Sequence, residues 1–127
     1  MNQGEEKKIR SFTDLEVWKE GHKLAVEVYK ITSLFPKEEI FGLTNQLRRA
    51  TVSITSNIAE GFSRQTWKDK GYFYSIALGS LTETQNQLLI ARDIGYIDAK
   101  DFSTLADQTI LISKLCNGLI KKTKSLS

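Results

Sequence analysis

The sequence predicts an all-α fold, an antiparallel up-down-up-down four-helix bundle, on three observations. Apolar residues recur at three- and four-residue steps through four successive stretches. The single proline, Pro36, and most of the eight glycines fall where helices should end or pack closely. No period-two alternation, repeat or low-complexity segment competes with that reading. At 127 residues the chain suits one domain with a real core. We expect an N-terminal arm over residues 1–12, the bundle over 13–123 and a short tail over 124–127.

Thr13 and Glu16 have capping-box spacing and should open a first helix from about Asp14 to Leu34. Its ridge is Leu15, Trp18, Ala25 and Tyr29, with Val17, Leu24, Val28 and Ile31 alongside, and Phe35-Pro36 closes it. The second helix should begin between Glu38 and Leu43 and end near Phe62, on a ridge of Leu43, Leu47, Ala50, Ile54 and Ile58. Thr66 and Asp69 begin a third, with Phe73, Ala77, Leu81, Thr84, Leu88 and Ala91 inward, and Gly95 ends it in the left-handed position. Asp98 caps a fourth to about Ile120, with Phe102, Leu105, Thr109, Ile112, Cys116 and Leu119 inward. Short links make sequential helices antiparallel neighbours.

Charge patterning adds a second expectation. From Leu43 to Phe62 and from Gly71 to Ala91 the only charges are Arg48, Arg49, Glu60 and Glu83, in a chain that is 26% charged. A helix on a lone subunit normally shows water a charged ribbon. Opposite its core ridge the second helix holds Gln46, Arg49, Ser53, Ser56, Asn57 and Glu60. The third holds Tyr72, Ile76, Gly79, Ser80, Glu83, Gln87, Ile90 and Ile94. These faces predict a second buried surface, and hence self-association. Buried polar groups need partners, so Arg49, Asn57, Glu60 and Glu83 form a candidate structural network. Arg49 should pair with Glu83, and Glu60 with a tyrosine (Tyr72 or Tyr74) or backbone, within or between subunits.

The function classes narrow by exclusion. Cys116 is the single cysteine and forms no internal bridge, the amino terminus shows no signal-like apolar run, and no stretch approaches the ~18 apolar residues of a membrane span. A cytoplasmic protein is expected. One histidine, His22, cannot supply a di-iron bundle's paired motifs and reads as a hydrogen-bonded structural residue. Cys116 reads as core, and Glu60 with Glu83 as structural polar groups; neither an enzyme nor a cofactor or metal is expected. Net charge is +3, which permits nucleic-acid contact without demanding it. Candidate phosphate contacts are Arg48, Arg64, Lys68, Lys70, Lys121 and Lys122, with Lys114 and Lys124 adding charge near the carboxyl end. Lysines there also complement a helix dipole.

The runs LRRATVSITSNIAEGFSR (Leu47 to Arg64) and ALGSLTETQNQLLIARDIGYI (Ala77 to Ile97), preceded by DLEVWKEGHKLA (Asp14 to Ala25), carry a resemblance. The chain resembles the four-helix 23S rRNA intervening-sequence proteins. Members of this type are similar to the accessory protein of diversity-generating retroelements, a basic pentameric barrel that works with nucleic acid and a reverse transcriptase. The resemblance implies a homopentamer and, less directly, RNA or DNA contact. Thr84-Gln85-Asn86 and Thr55 depart from the family pattern; Arg49, Asn57, Glu60 and Glu83 fit it. The expected function is therefore a non-catalytic, self-assembling bundle with weakly sequence-selective RNA binding. The alternative is a structural adaptor docking a protein partner.

Overall fold

A computed structural model describes residues 8–127; the remainder of the expected arm lies outside the described residues. Helices α1 (Glu16–Thr32), α2 (Leu43–Ser63), α3 (Trp67–Asp93) and α4 (Ala99–Leu126) follow one another, with single 3-10 turns at Phe12–Asp14 and Lys37–Phe41 and no strand among the described residues. Each helix packs on its two neighbours in a closed square, α1 against α2 and α4, and α3 likewise. The cross-helix contacts run in opposite senses. Gly61 faces Tyr74 while Ser53 meets Ser80, and Gly71 faces Thr123 while Gln85 reaches Thr109. Advancing along one helix means retreating along the next, so the neighbours are antiparallel.

The core is a column of Leu24, Val28, Leu47, Ile54, Ile58, Ala77, Leu81, Leu88, Leu105, Ile112 and Cys116. Each fully buried aliphatic side chain contributes about 1.5–3 kcal/mol. The ridges expected for α2 and α4 are the ones buried. Two others shift. In α1 the buried row is Val17, Gly21, Leu24, Val28 and Thr32, while Tyr29 is exposed and Trp18 and Ala25 only partly covered. The apolar arc of α1 is wide enough for either row. Gly21 decides, because a Cβ there would stand only 3.0 Å from Thr55 Cγ2, so α2 approaches on that side. In α3 Tyr74 replaces Phe73 as the fully buried aromatic.

Helix ends also correct the sequence reading. Ser11, not Thr13, makes the capping box, with Asp14 as its reciprocal carboxylate, and it opens the 3-10 turn; α1 itself starts at Glu16, and its N-cap, Leu15, offers no side-chain hydrogen bond. The Asp14 carboxylate accepts from the Arg10 and Ser11 amides at 2.9 and 3.1 Å, and Phe12 packs edge-on to Trp18. That local cluster outcompetes Thr13–Glu16. The start of α2 is capped from a distance: Glu39 accepts from the Leu43 amide at 3.1 Å and from Tyr96 Oη at 2.8 Å. Both bonds favour the carboxylate and hold Glu39 below its ordinary pKa. Gly95 has φ 87° and closes α3 as expected, with Tyr96 N–H donating to Ala91 at 2.8 Å and Gly95 N–H to Arg92 at 3.0 Å. Helix α4 runs past Ile120 to Leu126 because Thr123 is buried against Gly71 and holds the last turn.

Helices α2 and α3 approach closely at Gly61, where a Cβ would lie 2.7 Å from Tyr74 Cε1 and 3.1 Å from the Lys70 carbonyl oxygen. Gly61→Ala gains about 1 kcal/mol of helix propensity but forces these apart, and overpacking costs about 1–3 kcal/mol. A lower urea midpoint at unchanged slope is the expected result. A raised midpoint would show that the contact yields.

Candidate nucleic-acid interface and assembly surface

Two surfaces collect the candidate residues. The first is the outward side of α2 and α3. Ser53 and Ser80 share a hydrogen bond of 2.8 Å across the helices, and Asn57 Nδ2 donates to the Ser53 carbonyl at 2.8 Å and to its hydroxyl at 3.0 Å. These small polar groups satisfy one another and let the helices close. From that register Arg49, one turn on, is level with Glu83. No ion pair forms between them in one chain, and Arg49 has no side-chain partner among the described residues. Glu83 instead accepts from Gln87 Nε2 at 3.1 Å. Glu60 pairs with Arg64 at 2.8 Å, not with a tyrosine. Arg64 stands four residues further along the same exposed face, whereas Tyr74 is turned in against Gly61 and Tyr72 out against Phe73.

Around this network lie apolar side chains in water. Tyr72 is 64% exposed and Ile94 52%, with Ile76 and Ile90 also open, and a Cβ on Gly79 would meet nothing within 4 Å. Gln87 is buried, yet its Oε1 has no hydrogen-bond partner among the described residues.

The second surface is one end of the bundle. Antiparallel packing brings the α2–α3 link, the start of α1 and the end of α4 together there. A recess of about 210 Å³ is lined by residues from all of these, among them Ile9, Trp67, Lys70 and Lys122. Lys68, Lys121, Lys122 and Lys124 are exposed and carry no ion pair among the described residues. Two candidates are already engaged. Lys70 donates to the Phe62 carbonyl at 2.6 Å, closing the end of α2, and Arg64 holds Glu60 and lies over Phe73 at 4.5 Å. Arg48 is elsewhere: its Nε donates to Thr32 Oγ1 at 2.9 Å and its guanidinium covers the Tyr29 ring at 4.7 Å. It ties α1 to α2. Sequence pattern missed Thr32, Glu39 and Tyr96 as structural polar nodes, since their partners lie across links.

The chain matches the family model described as 23S rRNA-intervening sequence protein over residues 13–118. It belongs to that family. A solved structure from Bacteroides thetaiotaomicron, a protein of unknown function from the S23 ribosomal protein family, shares 25% identity with a TM-score of 0.77, over 83% of this chain and 95% of that one. No curated protein matches. Membership in the 23S rRNA intervening-sequence family accounts for the helical fold and names no reaction. Among the described residues no three His, Cys, Asp or Glu groups are placed to share a metal ion, and no helix is long and apolar enough to cross a membrane. His22 is exposed and stacks on Trp18 at 4.7 Å, held by the ring face and not by a hydrogen bond.

Cys116 is a core side chain whose thiol donates to the Tyr74 carbonyl at 3.4 Å. Burial pushes the thiol up to about 11 and the Tyr74 phenol up to about 12. Both groups are held neutral by the fold, so their contribution is complete below the ordinary thiol value and is lost as pH rises through the raised ones. Stability should be level across neutral pH and fall between about pH 9 and 12. A thiol reagent should label Cys116 only on unfolding; rapid labelling of native protein at pH 8 would contradict this placement. Separately, Arg48→Ala should lower stability by about 1.5–3 kcal/mol, as loss of a charge-assisted hydrogen bond does, while leaving nucleic-acid affinity within about twofold. An unaltered urea midpoint would remove its structural role.

Proposed function

We propose that this protein is a non-catalytic scaffold that assembles with copies of itself, as a homopentamer, and binds RNA through its backbone phosphates with little sequence selectivity. The observation that carries the reading is the outward stripe of α3. Tyr72, Ile76, Ile90 and Ile94 are exposed on a helix whose span from Gly71 to Ala91 holds one charge, Glu83. Such a stripe is far more apolar than a solvated helix face. Arg49 and Glu83 sit level with each other without pairing, so each is available to the other residue of a neighbouring copy. Gly79 offers that neighbour a close approach.

Phosphate binding follows from multiplication. Each subunit presents at one end a few lysines that carry no ion pair among the described residues, and an assembly presents several such sets at once. The family resemblance supports the number of copies and the choice of RNA.

Ile76→Glu combined with Ile90→Glu should yield a single-chain particle by size-exclusion with light scattering, its far-UV helix signal kept. A variant that stays fully assembled would place the contact elsewhere. RNA retained on a filter should be released steeply as salt rises, with log affinity falling linearly in log salt. Absence of retention at the lowest salt would refute RNA binding, and the protein-docking alternative would take its place.

A further inference from the structure

We infer that the basic end of the bundle is a binding site for single-stranded nucleic acid, in which Trp67 stacks on an unpaired base while lysines from two separate helices hold the flanking phosphates. This rests on the nucleic-acid reading above and assigns it a place and a strand type.

Lys68 lies in the first turn of α3, and Lys121, Lys122 and Lys124 lie in the last turns of α4; chain topology brings these distant segments to one end. None has an ion-pair partner among the described residues. The carboxylates nearby are occupied: Glu60 holds Arg64, Glu16 pairs with Lys19, and Asp14 accepts from backbone. Asp69 alone at this end has a carboxylate without a partner among the described residues. Helix stabilisation explains lysines at the end of α4 but not Lys68, since a cation in a helix's first turn opposes the dipole. The opposite end mixes its charges: Lys37, Arg92 and Lys100 stand there among Glu38, Glu39, Asp93, Asp98 and Asp101, so its cations are offset by carboxylates.

Charge alone would suit any polyanion. Trp67 narrows the choice. It leaves 38% of its surface to water on the wall of the recess, with Lys70 Nζ 5.8 Å from the ring and Lys122 on the same wall. An aromatic face beside cations is how sequence-tolerant single-strand binders hold a base and its phosphate together. A duplex keeps its bases stacked and unavailable to the indole. The apolar groups line a concavity and do not project from it, which suits one planar ring better than a lipid surface.

The test uses the full chain carrying Trp18→Phe, so that Trp67 is the sole tryptophan reporter. Titration at low salt with a uridine oligomer should quench its fluorescence, and a duplex RNA of equal length should bind about tenfold more weakly with little quenching. Trp67→Leu should weaken single-strand binding by about tenfold with the salt slope retained. Lys121→Glu with Lys122→Glu, both at exposed positions, should reduce the salt slope by about two. If the oligomer binds but none of these variants alters it, the site falls while RNA binding stands. Preference for duplex also overturns it, as does capture on phosphatidylserine vesicles without oligomer binding. No binding of any nucleic acid sinks both.

Discussion

Helix α3 is apolar on two sides, and the bundle core covers only one of them. Its inner row, from Tyr74 through Ala77, Leu81 and Leu88 to Ala91, fills the bundle centre. Its outer row repeats the apolar pattern from Tyr72 to Ile94. Hydrophobic stabilisation scales with the apolar area taken from water, so a helix apolar on both sides gains from a second cover. The polar groups that do lie on α2 and α3 are short and paired across the helices, as Ser53 with Ser80. Long charged side chains are few on these two helices away from their ends, Arg48, Arg49 and Glu83 among them.

This separation of sides from ends connects assembly with binding. Contacts made through the α2–α3 side leave both ends free. Rotation about a common axis preserves each subunit's direction along it, so a cyclic assembly carries every basic end on one rim. Under the proposed assembly, subunit number would set how many phosphates one strand meets, and the single-chain charge of +3 would understate the local field.

Much of the fold was legible because the signals were redundant. Helices α2 and α4 each have one narrow apolar ridge, and Gly95 and Asp98 punctuate the α3–α4 link with residues whose backbone and side-chain preferences admit few alternatives. Helix α1 was misread for a physical reason. Its apolar arc covers two adjacent rows, and the choice between them depends on Gly21 meeting Thr55 of α2, a contact that periodicity does not encode. The competing capping boxes at Ser11 and Thr13 were decided by Phe12 packing on Trp18. Among candidate site residues, Arg48 and Lys70 turned out to be spoken for by Thr32 and the Phe62 carbonyl, partners supplied by other helices. Residue type identified the cations; only topology showed which are free and that Lys68 and Lys122 share one end.

Sedimentation velocity of the unmodified chain, across a wide dilution series, tests the covering of α3 most directly. A single boundary at several times the mass of one chain, persisting to low concentration, is the outcome this account predicts. A compact single-copy species at the highest attainable concentration would show that water tolerates the outer row, and the assembled scaffold would have to be abandoned.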